Sequence, residues 1–333
     1  MLAQEPAAPA DVPKWMKRSR WRRLLPLLVV LAFAAAVFLV WHEVRPYGLA
    51  GMLKAITAIP RDRLILAVLF AVASYAALTL FDWLGLRYAA HPLPYHKAAL
   101  ASFVALSIGH TLGLAPLGSG ALRARYYTQW GLDAEAIGKL ILYCAATVTI
   151  GEVALAVLVL LIAPHPAASW VHVADSAVRL VGIGCAVAIA CYLAAAHWLR
   201  RPLRIRRWSI ALPTLPFAVA QVAVGAANFA LLTAMLYFLV SASQPVPFWT
   251  MAAIFLLATV AALISHVPGG LGVTEFVVLA FLPSAATWGA LIVFRIIYYF
   301  IPLALGGIVL GVGELLERRS APSRPAAAAN GPH

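Results

Sequence analysis

Among the ionisable side chains in or beside long apolar runs are Asp82, Arg123, Arg125, Glu152, Glu275 and Arg295. A charge at membrane depth is expensive, so each is a functional hypothesis. Glu152 falls near the middle of the run Leu140–Ala163, and Arg295 about a third of the way along Trp288–Val312. Asp82 closes the run Leu64–Leu84 and reads as an interfacial cap. Arginine suits anion binding, because its planar fork makes several charge-assisted bonds and its charge is never lost. Arg123, Arg125 and Arg295 would together hold a phosphate, with helix starts adding N–H donors. Glu152 and Glu275 would balance those arginines or meet a cationic head group. The plainer alternative is a structural ion pair of Arg295 with Glu275 or Glu152.

Two of these charges close matching motifs. One reads Pro116-Leu-Gly118-Ser-Gly120-Ala-Leu-Arg123, the other Pro268-Gly269-Gly270-Leu-Gly272-Val-Thr-Glu275, both P-x-G-x-G-x-x-[charge]. Each follows a histidine, His110 or His266, whose imidazole could relay protons near neutral pH; hydrogen-bonded packing is the plainer role. Tyr298 and Tyr299 precede Pro302, which would kink their helix, and they read as polar lining or aromatic packing. No H-E-x-x-H, G-x-S-x-G, P-loop or paired Cys/His set occurs. Metal and cofactor chemistry are therefore not expected.

The elements that must position these residues follow from composition. Of 333 residues, 63% are hydrophobic and 11% charged, with a net charge of +13, so a water-soluble globule is excluded. The cations flank apolar runs, which suits lipid head groups and membrane orientation rather than nucleic acid. A crossing helix needs about 20 apolar residues. Runs of that kind occupy Leu24–Val40, Leu64–Leu84, Leu140–Ala163, Val178–Ala196, Phe217–Val240 and Trp288–Val312. Ala98–Leu117 and Ala252–Leu282 are interrupted near their middles by the Gly/Pro motifs. If each interrupted stretch enters and leaves on one face, 19 of the 25 Lys/Arg fall on a single side, including the run Arg200–Arg207. That side is cytoplasmic, and both termini lie on it. Residues 1–23 form a basic disordered start, 24–163 a first membrane half, 164–315 a second, and 316–333 a disordered tail. Leu49–Ile59 could lie as a short helix along the outer interface. Cys144, Cys185 and Cys191 read as membrane-facing hydrophobes, and Trp21, Trp41, Trp170, Trp198, Trp249 and Trp288 as interface anchors.

The expected architecture is all-α and polytopic, with six full crossings plus two broken re-entrant hairpins arranged as an inverted repeat. Broken backbone is tolerated at membrane depth only where protein buries it or it lines a wet cavity. Paired interruptions in two halves are the best sequence pointer to a transport site. The plainer alternative is a pair of glycine-rich packing contacts.

The strings Ser265-His266-Val267-Pro268-Gly269-Gly270-Leu271-Gly272-Val273-Thr274-Glu275, Arg295-Ile-Ile-Tyr298-Tyr299-Phe-Ile-Pro302-Leu303 and Gly118-Ser-Gly120-Ala-Leu-Arg123-Ala-Arg125-Tyr126 resemble the transmembrane region of lysylphosphatidylglycerol synthases. Stand-alone YbhN-like membrane proteins share that likeness, which runs from about Arg22 to Arg319. The resemblance implies lipid flipping at the bacterial inner membrane, with Arg123, Glu275, Arg295 and the Pro268–Gly272 turn in the machinery. It also implies a stand-alone member, since the synthases' soluble aminoacyl-transferase domain has no counterpart before His333. The expected protein is a cofactor-free, non-enzymatic translocase of an anionic or aminoacylated phospholipid, possible as a homo-oligomer. The alternatives are a lipid-binding subunit for a separate lipid-modifying enzyme and a small-solute transporter.

Overall fold

The structure is a computed structural model and describes residue 54 and residues 57–112, 115–199, 203–205, 208–210, 212–265 and 267–320. The apolar run Leu24–Val40, His266, residues 1–23 and the end of the tail lie outside the described residues, as does most of Leu49–Ile59.

Helices dominate. They are α1 (Arg61–Tyr88), α2 (Tyr95–Leu112), α3 (Ala115–Gln129), α4 (Ala134–Ile162), α5 (His165–Val171), α6 (Asp175–Trp198), α7 (Leu215–Val240), α8 (Phe248–Ser265), α9 (Val273–Phe281), α10 (Ala285–Arg295) and α11 (Ile301–Ser320). A two-stranded antiparallel ribbon, β1 (Leu203–Ile205) and β2 (Trp208–Ile210), pairs Arg204 with Ser209 between α6 and α7.

Local chemistry sets the helix ends. The Asp133 carboxylate accepts the Ala136 N–H at 2.7 Å and caps α4, while Lys139 pairs with Glu135 one turn later at 2.8 Å. Ser284 caps α10 by accepting the Thr287 N–H at 3.0 Å. Pro216 sits in the first turn of α7, where its missing donor costs nothing.

Among the described residues, six helical segments are long and apolar enough to cross a membrane: α1, α4, α6, α7, α8 and Ala285–Gly313. Five of them contain expected spans. The sixth, α8, is the first part of the stretch expected to be broken. Many apolar side chains stay exposed, among them Leu180, Ile264 and Phe276. Bilayer would cover such a surface, whereas water would not.

The core gathers around α1, α4 and α7. Phe70 near the start of α1 stacks on Phe238 near the end of α7, at 5.4 Å between ring centroids, so the two helices run antiparallel. Helices α4 and α7 touch backbone to backbone. A Cβ built on Gly151 would come within 2.5 Å of the Gly225 carbonyl carbon, so only glycine permits this crossing.

The helix pairs α2/α3 and α8/α9 pack each on itself. The Lys97 ammonium lies over the Trp130 ring, which joins the start of α2 to the residue just past α3. Phe248 at the start of α8 packs on Tyr237 of α7, and Phe281 at the end of α9 stacks on Trp170 of α5.

The first motif departs from expectation. Pro116, Gly118 and Gly120 are not the turn; they lie inside α3, and the chain leaves α2 before them. Proline in a first helical turn forfeits a bond that would be unmade anyway, so the pattern starts a helix there. The second motif is a turn. Pro268–Gly270 forms a single 3-10 turn, and Gly269, Gly270 and Gly272 have φ of +58°, +59° and +76°.

Candidate functional site: two buried ion pairs at the interrupted helices

The site is built from the second turn upward. A chain that stops hydrogen-bonding as a helix leaves carbonyls in need of donors. Here one guanidinium supplies them. From α10, Arg295 donates Nη1–H to the Gly269 carbonyl at 2.5 Å and Nη2–H to the Gly270 carbonyl at 2.9 Å. The same guanidinium grips the Glu275 carboxylate of α9 along one edge, Nε to Oε1 at 2.6 Å and Nη2 to Oε2 at 2.9 Å. Its carbon lies 4.7 Å from the Tyr299 ring centroid, a cation–π contact. Arg295 is 4% exposed and Glu275 6%.

A second pair anchors the other interrupted stretch. Arg123 of α3 donates Nε–H to Asp82 Oδ2 at 2.9 Å and Nη2–H to Oδ1 at 2.7 Å. Tyr127, one turn on, donates its hydroxyl to Oδ2 at 2.8 Å, and Ser102 of α2 donates to Oδ1 at 3.1 Å. The Cys144 thiol of α4 completes the shell at 3.5 Å. Asp82 is therefore no interfacial cap. It is wholly buried within α1, which runs on past it to Tyr88. Cys144 is likewise not membrane-facing but buried against this carboxylate.

The two interrupted stretches meet. A Cβ on Gly269 would lie 3.2 Å from the His110 carbonyl oxygen, so the end of α2 touches the turn that Arg295 holds. The His110 ring stacks on Tyr298, centroids 6.4 Å apart. Tyr298 lies in a π-helical turn, Ile296–Phe300, between α10 and α11. Pro302 has no N–H to return to that turn, and the Tyr75 hydroxyl donates to the Tyr298 carbonyl at 3.1 Å instead. The Tyr298 hydroxyl lies 3.3 Å from the Ser74 hydroxyl, which donates to Asn228 Oδ1 at 2.7 Å. A polar seam thus runs from α2 through the π-helical turn to the crossing of α1 and α7.

No family model matches the chain. Over 293 residues it is 33% identical to an uncharacterized protein of Synechocystis sp., covering 86% of this chain and 90% of that protein. Over 292 residues it is 29% identical to the inner membrane protein YbhN of Escherichia coli, covering 86% and 91%. The chain belongs to the YbhN-like family of membrane proteins. With its apolar helices, this YbhN-like protein is a multi-pass inner membrane protein.

The sequence-derived site residues do not form one cluster. Arg295, Glu275, Gly269 and Gly270 come together, with Tyr298, Tyr299 and His110 beside them. Arg123 belongs to the other pair, and Gly120 packs near Ile141 of α4. Arg125, two residues past Arg123, points to a different side of α3 and is half-buried. Glu152 joins neither pair; it lies on α4 beside Thr259 of α8. Tyr127 and Ser102 escaped the sequence reading, and Asp82 was read there only as an interfacial cap. Their signal was the motif arginine, which needed an acid and had none nearby in sequence.

Proposed function

We propose that this protein moves a phospholipid with an anionic or aminoacylated head group between the leaflets of the inner membrane, without covalent chemistry of its own. The observation that carries this reading is the junction of the two interrupted stretches, where a buried guanidinium holds open turn carbonyls and a carboxylate at once. In this reading α2/α3 and α8/α9 are re-entrant hairpins that enter from opposite leaflets. They belong to an inverted repeat, with both termini cytoplasmic. The neighbouring ends of each pair support it, as does the motif that closes each second arm with a charge.

The chemistry follows from the site. Arg295 presents to Glu275 the same two-pronged face that a phosphate would accept. A head-group phosphate takes the place of the carboxylate at Nε and Nη2, so the guanidinium keeps a partner throughout. The released Glu275 and the Gly269 and Gly270 carbonyls then face an ammonium, which fits an aminoacylated head group. Acyl tails remain in the bilayer. Phosphorus chemistry is absent, and the head group avoids the several kcal/mol per ion that bare hydrocarbon exacts, in rough terms.

Proteoliposomes containing the purified protein and a fluorescent phosphatidylglycerol test this. External dithionite bleaches only outer-leaflet label; with the protein present, bleaching should proceed beyond half of the total. Bleaching that stops at half, as in protein-free vesicles, overturns the proposal. Stable copurification with a soluble lipid-modifying enzyme would then favour the lipid-binding subunit, and binding of a soluble metabolite the solute transporter.

A further inference from the structure

The two pairs leave one carboxylate over. Glu152 lies in the middle of α4, next to Gly151, where α4 and α7 touch through their backbones. Glu152 is half-buried, and its Oε1 is closed off from solvent without a hydrogen-bond partner. The Thr259 hydroxyl of α8 lies beside it, but that hydroxyl donates its proton to the Leu256 carbonyl at 2.9 Å. With its proton on that carbonyl the hydroxyl presents a lone pair to Glu152, to which a protonated carboxyl donates.

Titratable groups brought to α4 by its neighbours gather elsewhere. Asp82 and Tyr88 of α1 and Arg123 and Tyr127 of α3 surround Tyr143 and Cys144. Cys144 lies about 12 Å along the helix from Glu152, at 1.5 Å per residue. Tyr192 of α6 donates to Gln221 of α7, which reaches Tyr143 and Thr147. Cys185 and Cys191 are the other α6 groups of that stretch, and Arg179 sits before Gly182, which packs on Leu160 and Leu161 at the far end of α4. Helix α7 adds only Tyr237, packed on Phe238 and Phe248, and α8 has no ionisable side chain. No described cation is positioned to balance a charge on Glu152.

We propose that Glu152 is a proton-binding site that couples movement of α8 to proton exchange. This rests on the translocation reading above, because α8 carries the turn that Arg295 holds. In the packed state the carboxyl is neutral and lies against Thr259. When α8 moves off α4, water reaches the carboxyl, its O–H bond breaks, and the proton passes to that water, leaving a carboxylate. Repacking requires the reverse transfer, since an unpaired carboxylate cannot be sealed in an apolar contact.

Two measurements on the reconstituted protein test this. Infrared difference spectra across a pH titration should show the carbonyl stretch of a buried neutral carboxyl, absent from Glu152→Gln; the same band in both proteins overturns the proposal. The dithionite assay should show translocation rising with pH, by up to about tenfold per unit on the steepest limb, and falling again where repacking can no longer take up a proton. Glu152→Gln, a permanent mimic of the protonated form, should be slow and flat with pH; the wild-type rise persisting in it overturns the coupling. If the wild-type protein moves no lipid at any pH, the translocation reading fails, while the infrared band still decides whether Glu152 binds a proton.

Discussion

Each buried arginine here is fully committed to partners inside the protein, and the consequence can be measured residue by residue. Removing one member of a buried pair strands the other in a low dielectric at a cost of about 3–5 kcal/mol, whereas replacing both with apolar residues of similar size is far milder. Glu275→Leu or Arg295→Met alone should therefore lower thermal stability in detergent strongly; the double variant should recover the part due to the stranded charge, but stay below wild type because the Gly269 and Gly270 carbonyls lose their donor. Asp82→Asn should be as damaging as either single change, because Arg123 loses its counter-ion and Tyr127 and Ser102 keep weaker acceptors. An Asp82→Asn protein with unchanged unfolding temperature would contradict the burial described for it. Of the two pairs, Arg295–Glu275 was legible only as one of two alternatives, since Glu152 was an equal candidate for Arg295 in the sequence. Asp82 was not legible as a partner: its arginine comes 41 residues later and its tyrosine 45, and a contact of that separation leaves no local trace.

At the scale of elements, the interruptions differ although their motifs match. Gly269 and Gly270 need left-handed backbone, and a Cβ on Gly270 would also meet Ala262 at 2.9 Å. Gly270→Ala should cost about 1–2 kcal/mol from backbone handedness alone, and more from that clash; denaturation in detergent checks it. Gly120→Ala lies in helical backbone with only Ile141 at 3.4 Å, and should be tolerated or mildly stabilising. Equal effects at both positions would mean that both motifs are turns. Sequence could not separate the two cases, because proline followed by spaced glycines serves equally as a helix start and as a reversal. The kink expected at Pro302 is instead a π-helical turn whose open carbonyl Tyr75 satisfies. Tyr75→Phe should accordingly destabilise by about 1–3 kcal/mol, the cost of a buried unpaired acceptor.

For the whole molecule, apolar periodicity and length made the crossings legible, because a bilayer imposes both on any helix that spans it. Which ends lie together was not legible, for it depends on glycine contacts such as Gly151 with Gly225 that pack helices regardless of hydropathy. The proposed orientation puts Ser209 in the β1–β2 ribbon on the cytoplasmic side; a cysteine placed there should react with a membrane-impermeant thiol reagent only from that side, in a chain lacking Cys144, Cys185 and Cys191. The central claim is that the Arg295–Glu275 junction moves lipid and does more than brace the bundle. Lipid translocation by the folded Glu275→Leu, Arg295→Met double variant tests it most directly. The account predicts a protein that still unfolds cooperatively, at a temperature above either single variant, yet leaves inner-leaflet label protected from dithionite; wild-type bleaching by that variant would contradict it.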